Sequence, residues 1–291
     1  MTAFSSEFTQ SLPDGRRCVV RLAVPQGLMP AEGWPVAYVL DVSQFETMCR
    51  TAGADGLPGI LVGLAPQAPA QRVWDYPPRG WAAGFAAEAS GARPLAGPAG
   101  FQGPGPLPAG TQTGAARWLR VLDTVRIRVA ADFRLDPSRQ VLAGHSLGAM
   151  FALYTLLHRP RAFDGYVLSS PSVWWGQGYV RRLMRRRLAW LAGQGAPRLG
   201  VSLTVGEYEQ SLSPQEMSLS ADEREQQQVK RKRRAMVDGV QALAGDLAAC
   251  PGLRLRHAVL PGHIHRTAPQ DALMAGWRWL LADGAGDAEP D

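Results

Sequence analysis

The chain has 291 residues, 46% hydrophobic and 19% charged, a balance that excludes a disordered polymer and supplies apolar surface for a sizeable core. No apolar run reaches the ~18–20 residues that span a bilayer, and no period of ~20–50 residues repeats, so a membrane-spanning helix and a solenoid are both excluded. The formal charge of +6 favours anionic partners, yet no zinc-finger spacing, RNA-binding signature or clear helix-turn-helix accompanies it, so nucleic acid is not the expected ligand. Three scattered cysteines, Cys18, Cys49 and Cys250, form neither a disulfide framework nor a metal-site spacing.

The N-terminal stretch lacks the basic and apolar regions of an export signal, which predicts a cytoplasmic protein, or a periplasmic one whose signal has been removed. After the turn signal Pro13-Asp14-Gly15, Arg16–Val24 reads as a strand. Val36–Leu40 and Ile60–Leu64 are short continuous apolar runs, as expected of strands buried on both faces. From Ala83 to Gly114 the chain is rich in Ala, Gly and Pro without a period, which predicts a long loop or a lid. Ala115–Asp132 places Trp118, Leu122, Val125 and Val129 on one helical face.

Further along, Gln140–Ala143 reads as a strand and Leu147–His158 as a helix stopped by Arg159-Pro160. Tyr166–Ser169 and Leu199–Val205 read as strands, with a basic helix at Gln177–Ala192 between them. A long helix at Ala221–Ala249, a strand at Leu253–Leu260, a helix at Pro269–Ala282 and a fraying polar tail beyond 282 complete the series. Strands alternating with helices predict one α/β domain with a mostly parallel sheet covered on both faces.

Gly144-His145-Ser146-Leu147-Gly148 fits G-x-S-x-G, the strand-to-helix turn that exposes a nucleophilic serine at a helix N-terminus. In a chain with 32 glycines, chance alone supplies about 0.2 such matches, so the flanks decide. A strand runs directly in and an apolar-faced helix runs directly out, which is the context the turn requires. A nucleophilic serine needs a base. His145 sits inside the turn and is expected to point away, His158 caps a helix, and His257 lies in a strand. His263 and His265 follow the last strand, where a parallel sheet presents its carboxyl edge. His-x-His could also be half a metal site, but no third ligand has a suggestive spacing, so no metal and no cofactor is expected.

The acid is expected after an intermediate strand, at Glu207 or Glu209. Two backbone N–H groups must face the developing oxyanion; Leu147 offers one, and the loop Asp41-Val42-Ser43 is expected to offer the other through Val42 or Ser43. Trp74, Trp81, Trp174 and Trp175 are candidate walls for an aromatic ligand. The arginines at 181, 182, 185, 186 and 187 and the run Lys230–Arg234 read as solvated helix faces, or as a field that steers an anionic ligand.

These motifs resemble the esterase family of α/β-hydrolases, and within it the siderophore esterases: ferric-enterobactin esterases and periplasmic trilactone hydrolases. The resemblance runs from about Arg16 to Leu281. Its pieces are Tyr38–Asp41, Arg72–Pro77, Gly144–Gly148, Ser170–Trp175, Val205–Glu209 and Gly262–His265. It implies Ser146 as nucleophile, His265 rather than His263 as base and Glu209 as acid, although relatives with a Ser–His dyad occur. It also implies that Arg72 faces a catecholate; Tyr76, Trp174 and Trp175 are the further candidate substrate contacts. Val42 stands where the family usually has glycine, so the pocket should be narrower there.

The expectation is therefore a monomeric α/β-hydrolase that cuts ester bonds of an anionic, aromatic small molecule such as a catecholate trilactone, iron-loaded or free. A carboxylesterase for other esters, a feruloyl or thiol esterase, an acyltransferase and an inactive binding protein on the same fold are the alternatives.

Overall fold

A computed structural model of the chain describes residues 4–11, 17–68, 72–77, 114–175, 184–190 and 199–282. Among them, eight strands build one sheet: β1 (Phe4–Ser11), β2 (Arg17–Val24), β3 (Trp34–Leu40), β4 (Ile60–Pro66), β5 (Leu135–His145), β6 (Gly165–Ser169), β7 (Leu199–Gly206) and β8 (Leu253–Leu260). Their order is β1-β2-β4-β3-β5-β6-β7-β8; β1 and β2 pair antiparallel, β2 and β4 likewise, and the remaining pairings are parallel. The helices are α1 (Val42–Thr51), α2 (Arg72–Asp75), α3 (Ala115–Asp132), α4 (Leu147–His158), α5 (Ala221–Arg234), α6 (Met236–Ala248) and α7 (Ala268–Ala282), with a further helical stretch at 184–190.

Because side chains alternate along a strand, a central parallel strand must be apolar on both faces. In β3, Val36, Tyr38 and Leu40 enter the core shared with α3, α4 and α6, while Ala37 and Val39 enter a second core with α1 and α7. This explains the unbroken apolar runs at β3 and β4, both buried almost end to end.

Four departures from the sequence reading have physical causes. β1 is a mostly polar edge strand, with Phe8 packed against the core, so its apolar alternation is too sparse to be read. β5 begins at Leu135, not Gln140: Asp136-Pro137-Ser138 has turn chemistry, with Asp136 Oδ1 accepting from the Ser138 N–H at 2.8 Å, yet it joins the sheet through a register shift against β3. The loop expected after β3 is helix α1 from Val42 onward, amphipathic through Phe45 and Met48. The long helix expected at 221–249 breaks at Ala235, which adopts a left-handed conformation (φ 44°). Before the break α5 buries nothing; after it α6 buries Met236, Val240, Leu243 and Leu247, so the kink turns a solvated helix into a packed one.

The expected lid and Trp81, the turn at 13–15, the tail beyond 282 and the flanks of the basic helix all lie outside the described residues. Among the described residues, no helix is long and apolar enough to cross a membrane.

Trp277 of α7 is fully buried in the second core, where it closes the face opposite α4. Trp277→Ala should lower unfolding free energy by ~3–5 kcal/mol, read from urea denaturation. A loss under ~1 kcal/mol would mean that this core can collapse around the deleted ring.

Candidate active site

The carboxyl ends of β3, β5, β6 and β7 converge, and the chain reverses sharply at each of the first three. Ser146 follows β5 in a strained conformation (φ 58°, ψ −116°) and its C=O accepts from the Met150 N–H at 3.0 Å in the first turn of α4. The glycines of the motif are steric requirements. A Cβ on Gly144 would lie 2.5 Å from the Gly148 carbonyl carbon, and one on Gly148 would lie 3.1 Å from Leu40 Cβ. The second clearance shows that α4 starts hard against the end of β3. The first N–H groups of any helix lack intrahelical acceptors, which makes Leu147, Val42 and Ser43 available as donors.

Beyond β7, Glu207–Glu209 form a 3₁₀ turn that buries Glu209 at 4% exposure. Glu209 Oε1 accepts from the Gly206 N–H at 2.7 Å and the Ser170 hydroxyl at 2.5 Å, and Oε2 lies 2.6 Å from Nδ1 of His265. Nε2 of His265 lies 3.0 Å from Ser146 Oγ. The structure therefore brings Ser146, His265 and Glu209 into one line.

Glu207 and His263 stand elsewhere. Glu207 Oε2 accepts from the Gly262 N–H at 2.7 Å, and His263 faces Asp271 at 2.9 Å and Thr267 at 3.2 Å, so both tie down the loop that carries His265. Among the described residues no group of three or more His, Cys, Asp or Glu could hold a metal ion. The sequence does not reveal Ser170 as a partner of Glu209, because the contact joins residues 39 apart in the chain and depends on β6 lying beside β7.

His145 corrects an expectation: it does not point away from this cluster. Its ring lies 4.5 Å from that of His265, centroid to centroid, and its Nδ1 faces Ser169 Oγ at 3.1 Å. Burial, followed by the neighbouring His265, pushes its pKa well below the usual imidazole range.

Asp41, at the end of β3, is the third reversal (φ 78°) and is 7% exposed. Its carboxyl group accepts from the Tyr76 hydroxyl at 3.1 Å and pairs with Arg72 at 3.4 Å. Burial pushes its pKa above the usual carboxylate range, opposed by the Arg72 charge and then by the Tyr76 hydrogen bond.

Two expected substrate contacts are overturned by burial. Tyr76 is fully buried between Trp118 and Phe151, with ring centroids 5.5 and 5.7 Å away, so it serves Asp41 and cannot meet a ligand. Trp175 is 8% exposed and belongs to the main core. Trp174 is half-buried, with the Arg234 guanidinium 4.6 Å above its ring, and Arg72 keeps 47% of its side chain exposed. The side chain of Trp74 lies outside the described residues.

The family model described as serine aminopeptidase, S33 (Hydrolase_4) matches residues 110–244. The solved structure of the siderophore hydrolase EstA from Aspergillus nidulans superposes with a TM-score of 0.75, covering 97% of this chain and 95% of that one at 22% identity. The chain has the α/β-hydrolase fold. Among curated proteins, this chain is 26% identical over 207 residues to the ferri-bacillibactin esterase BesA of Bacillus subtilis, in a match that covers 68% of each chain. It is 32% identical over 117 residues to the siderophore enterobactin esterase of Emericella nidulans, spanning 40% of this chain and 38% of that one.

The lowered pKa of the buried His145 predicts that the fold loses stability in acid. Above pH ~6.5 the imidazole is neutral in both folded and unfolded chains; below it the unfolded chain takes a proton that the folded one refuses. The unfolded state then binds more protons, so stability falls as pH falls, by up to ~1.4 kcal/mol per pH unit for one such group. His145→Gln should lose less thermal stability than wild type between pH 7 and pH 5 in melts followed by circular dichroism. Parallel losses in the two proteins would place the acid sensitivity elsewhere.

Proposed function

We propose that this α/β-hydrolase is a serine esterase that cleaves ester bonds of a siderophore of the catecholate trilactone type, with Ser146 as nucleophile, His265 as base and Glu209 as acid. The observation that carries the assignment is the unbroken hydrogen-bonded line from Glu209 through His265 to Ser146 at a strained strand-to-helix turn. The names of the relatives support the substrate class.

The chemistry follows from the geometry. Glu209 orients the imidazole and stabilises its cationic form. Ser146 Oγ attacks the ester carbonyl carbon as its proton passes to Nε2 of His265, and the alcohol leaves with that proton. Water then cleaves the acyl-enzyme by the same route in reverse. The N–H groups of Leu147 and of Val42 or Ser43 hold the oxyanion at each tetrahedral stage.

Arg72 and Trp174 are assigned to the remote part of the substrate. A guanidinium binds two oxygens of an anionic catecholate at once, and its Asp41 partner sets its direction without covering it. The net charge of +6 supports attraction of an anionic ligand.

A fluorophosphonate probe followed by an ester panel tests this reading, with iron-loaded and iron-free trilactones, p-nitrophenyl acetate and a peptide amide as the arms. Labelling of a single serine, abolished in Ser146→Ala, is expected; an unlabelled wild type would make the chain a binding protein. Ser146→Ala and His265→Ala should cost ~10⁴-fold or more in kcat, Glu209→Gln less, and His263→Ala under ~10-fold. Arg72→Ala should raise KM for the trilactone while leaving p-nitrophenyl acetate nearly unchanged, because uniform binding of a remote group appears in KM. Equal losses on both substrates would reassign Arg72 to the support of Asp41.

A further inference from the structure

Ser172 is 2% exposed, and its hydroxyl lies 3.1 Å from that of Ser146. Taken alone, either oxygen could donate; the bonds around them decide which does. Glu209 Oε1 accepts from the Gly206 N–H at 2.7 Å and from the Ser170 hydroxyl at 2.5 Å, so this carboxylate is used as an acceptor. Its other oxygen faces Nδ1 of His265 at 2.6 Å, which places the imidazole hydrogen on Nδ1. A neutral imidazole has one N–H, so Nε2 offers a lone pair and takes the Ser146 hydroxyl hydrogen across 3.0 Å. That hydroxyl has no second hydrogen. The hydrogen between the two serines therefore belongs to Ser172, which donates to Ser146 Oγ.

We propose that Ser172 is a further catalytic residue: its O–H stabilises Ser146 Oγ as the leaving group when the acyl-enzyme is hydrolysed. This rests on the esterase reading above. In acylation, Oγ bonds to the carbonyl carbon and its proton passes to His265 Nε2. A hydrogen bond donated to Oγ slightly weakens the attacking lone pair there, and also fixes its direction, so the two effects offset. In deacylation, water adds to the same carbon and gives its proton to Nε2. The C–Oγ bond then breaks, the electron pair goes to Oγ, and the proton returns from Nε2. Charge accumulates on Oγ in that step, and a donor aimed at it lowers the barrier.

The backbone holds the donor in place. The Ser172 N–H donates to the Ser146 C=O at 3.2 Å, and the Trp175 N–H donates to the Ser172 C=O at 3.1 Å, so the 170–175 turn is strapped to the nucleophile's own turn. Being so deeply buried, the hydroxyl has no competing bulk water to donate to.

Rapid-quench kinetics with p-nitrophenyl acetate separate the two steps. Release of p-nitrophenol before the first turnover reads acylation, and intact mass gives the acetylated fraction at steady state. Ser172→Ala should leave acylation within ~2-fold and slow deacylation by ~5–10-fold, the equivalent of one lost hydrogen bond, so that acetyl-enzyme accumulates. Ser172→Thr keeps the hydroxyl and should deacylate within ~3-fold of wild type. Equal slowing of both steps in Ser172→Ala, or unchanged deacylation, overturns the proposal. Should Ser172→Ala fail to fold by circular dichroism, Ser172→Cys and Ser172→Thr decide it. The thiol, a weak donor, should slow deacylation where threonine does not; the opposite order, or no difference, overturns the proposal. A wild-type chain that forms no acetyl-enzyme and takes no fluorophosphonate label would instead remove the esterase reading itself.

Discussion

Neighbouring parallel strands hold one another at their carboxyl ends, and the site depends on that linkage. Where β5 ends, the Ser146 N–H donates to the Ser169 C=O of β6 at 3.0 Å; where β6 ends, the Ser170 N–H donates to the Thr204 C=O of β7 at 2.8 Å. Ser146 and Ser170 both hold left-handed conformations that cost ~1–3 kcal/mol each unless the surroundings impose them. The ladder between strands imposes them. Asp41, past the end of β3, is held in the same way by its N–H bond to Leu64 of β4 at 3.0 Å. Three of the four described non-glycine residues with positive φ thus stand at adjacent strand ends, which concentrates the backbone strain beside the Ser146–His265–Glu209 line.

Two buried carboxyl groups then divide the electrostatics. Burying a carboxylate is costly unless donors surround it, and the two groups are supplied differently. Glu209 takes a backbone N–H and a hydroxyl on one oxygen, leaving the other to orient His265. Asp41 has a tyrosine hydroxyl and a longer contact to a half-exposed arginine, and burial still pushes its pKa up. The second arrangement ties the end of β3 to Arg72, a side chain that also reaches solvent.

His145 and His265 illustrate how neighbouring groups of one type are given different surroundings. Burial pushes the pKa of His145 well below the usual imidazole range, while the half-exposed His265 ring faces the Glu209 carboxylate at 2.6 Å.

Much of this fold is legible in the sequence because the signals are local. The unbroken apolar runs of β3 and β4 mark strands covered on both faces, and the glycines at 144 and 148 mark a turn that admits no side chain. The order of serine, acid and histidine follows from strands taken in turn, so Ser146 and, after it, a pair of candidate acids and a pair of candidate bases could be named. The sequence could not choose between Glu207 and Glu209 from composition or spacing, because two residues on a 3₁₀ turn point in different directions and only packing against Gly206 and Ser170 selects one. Nor could it show that Tyr76 and Trp175 are core residues, since an aromatic ring has the same local signature in a wall and in an interior. The polar edge strand β1, the kink at Ala235 and the hydroxyl of Ser172 beside Ser146 depend on contacts between segments far apart in the chain. Local propensity carries no information about such contacts; the tertiary structure alone decides them.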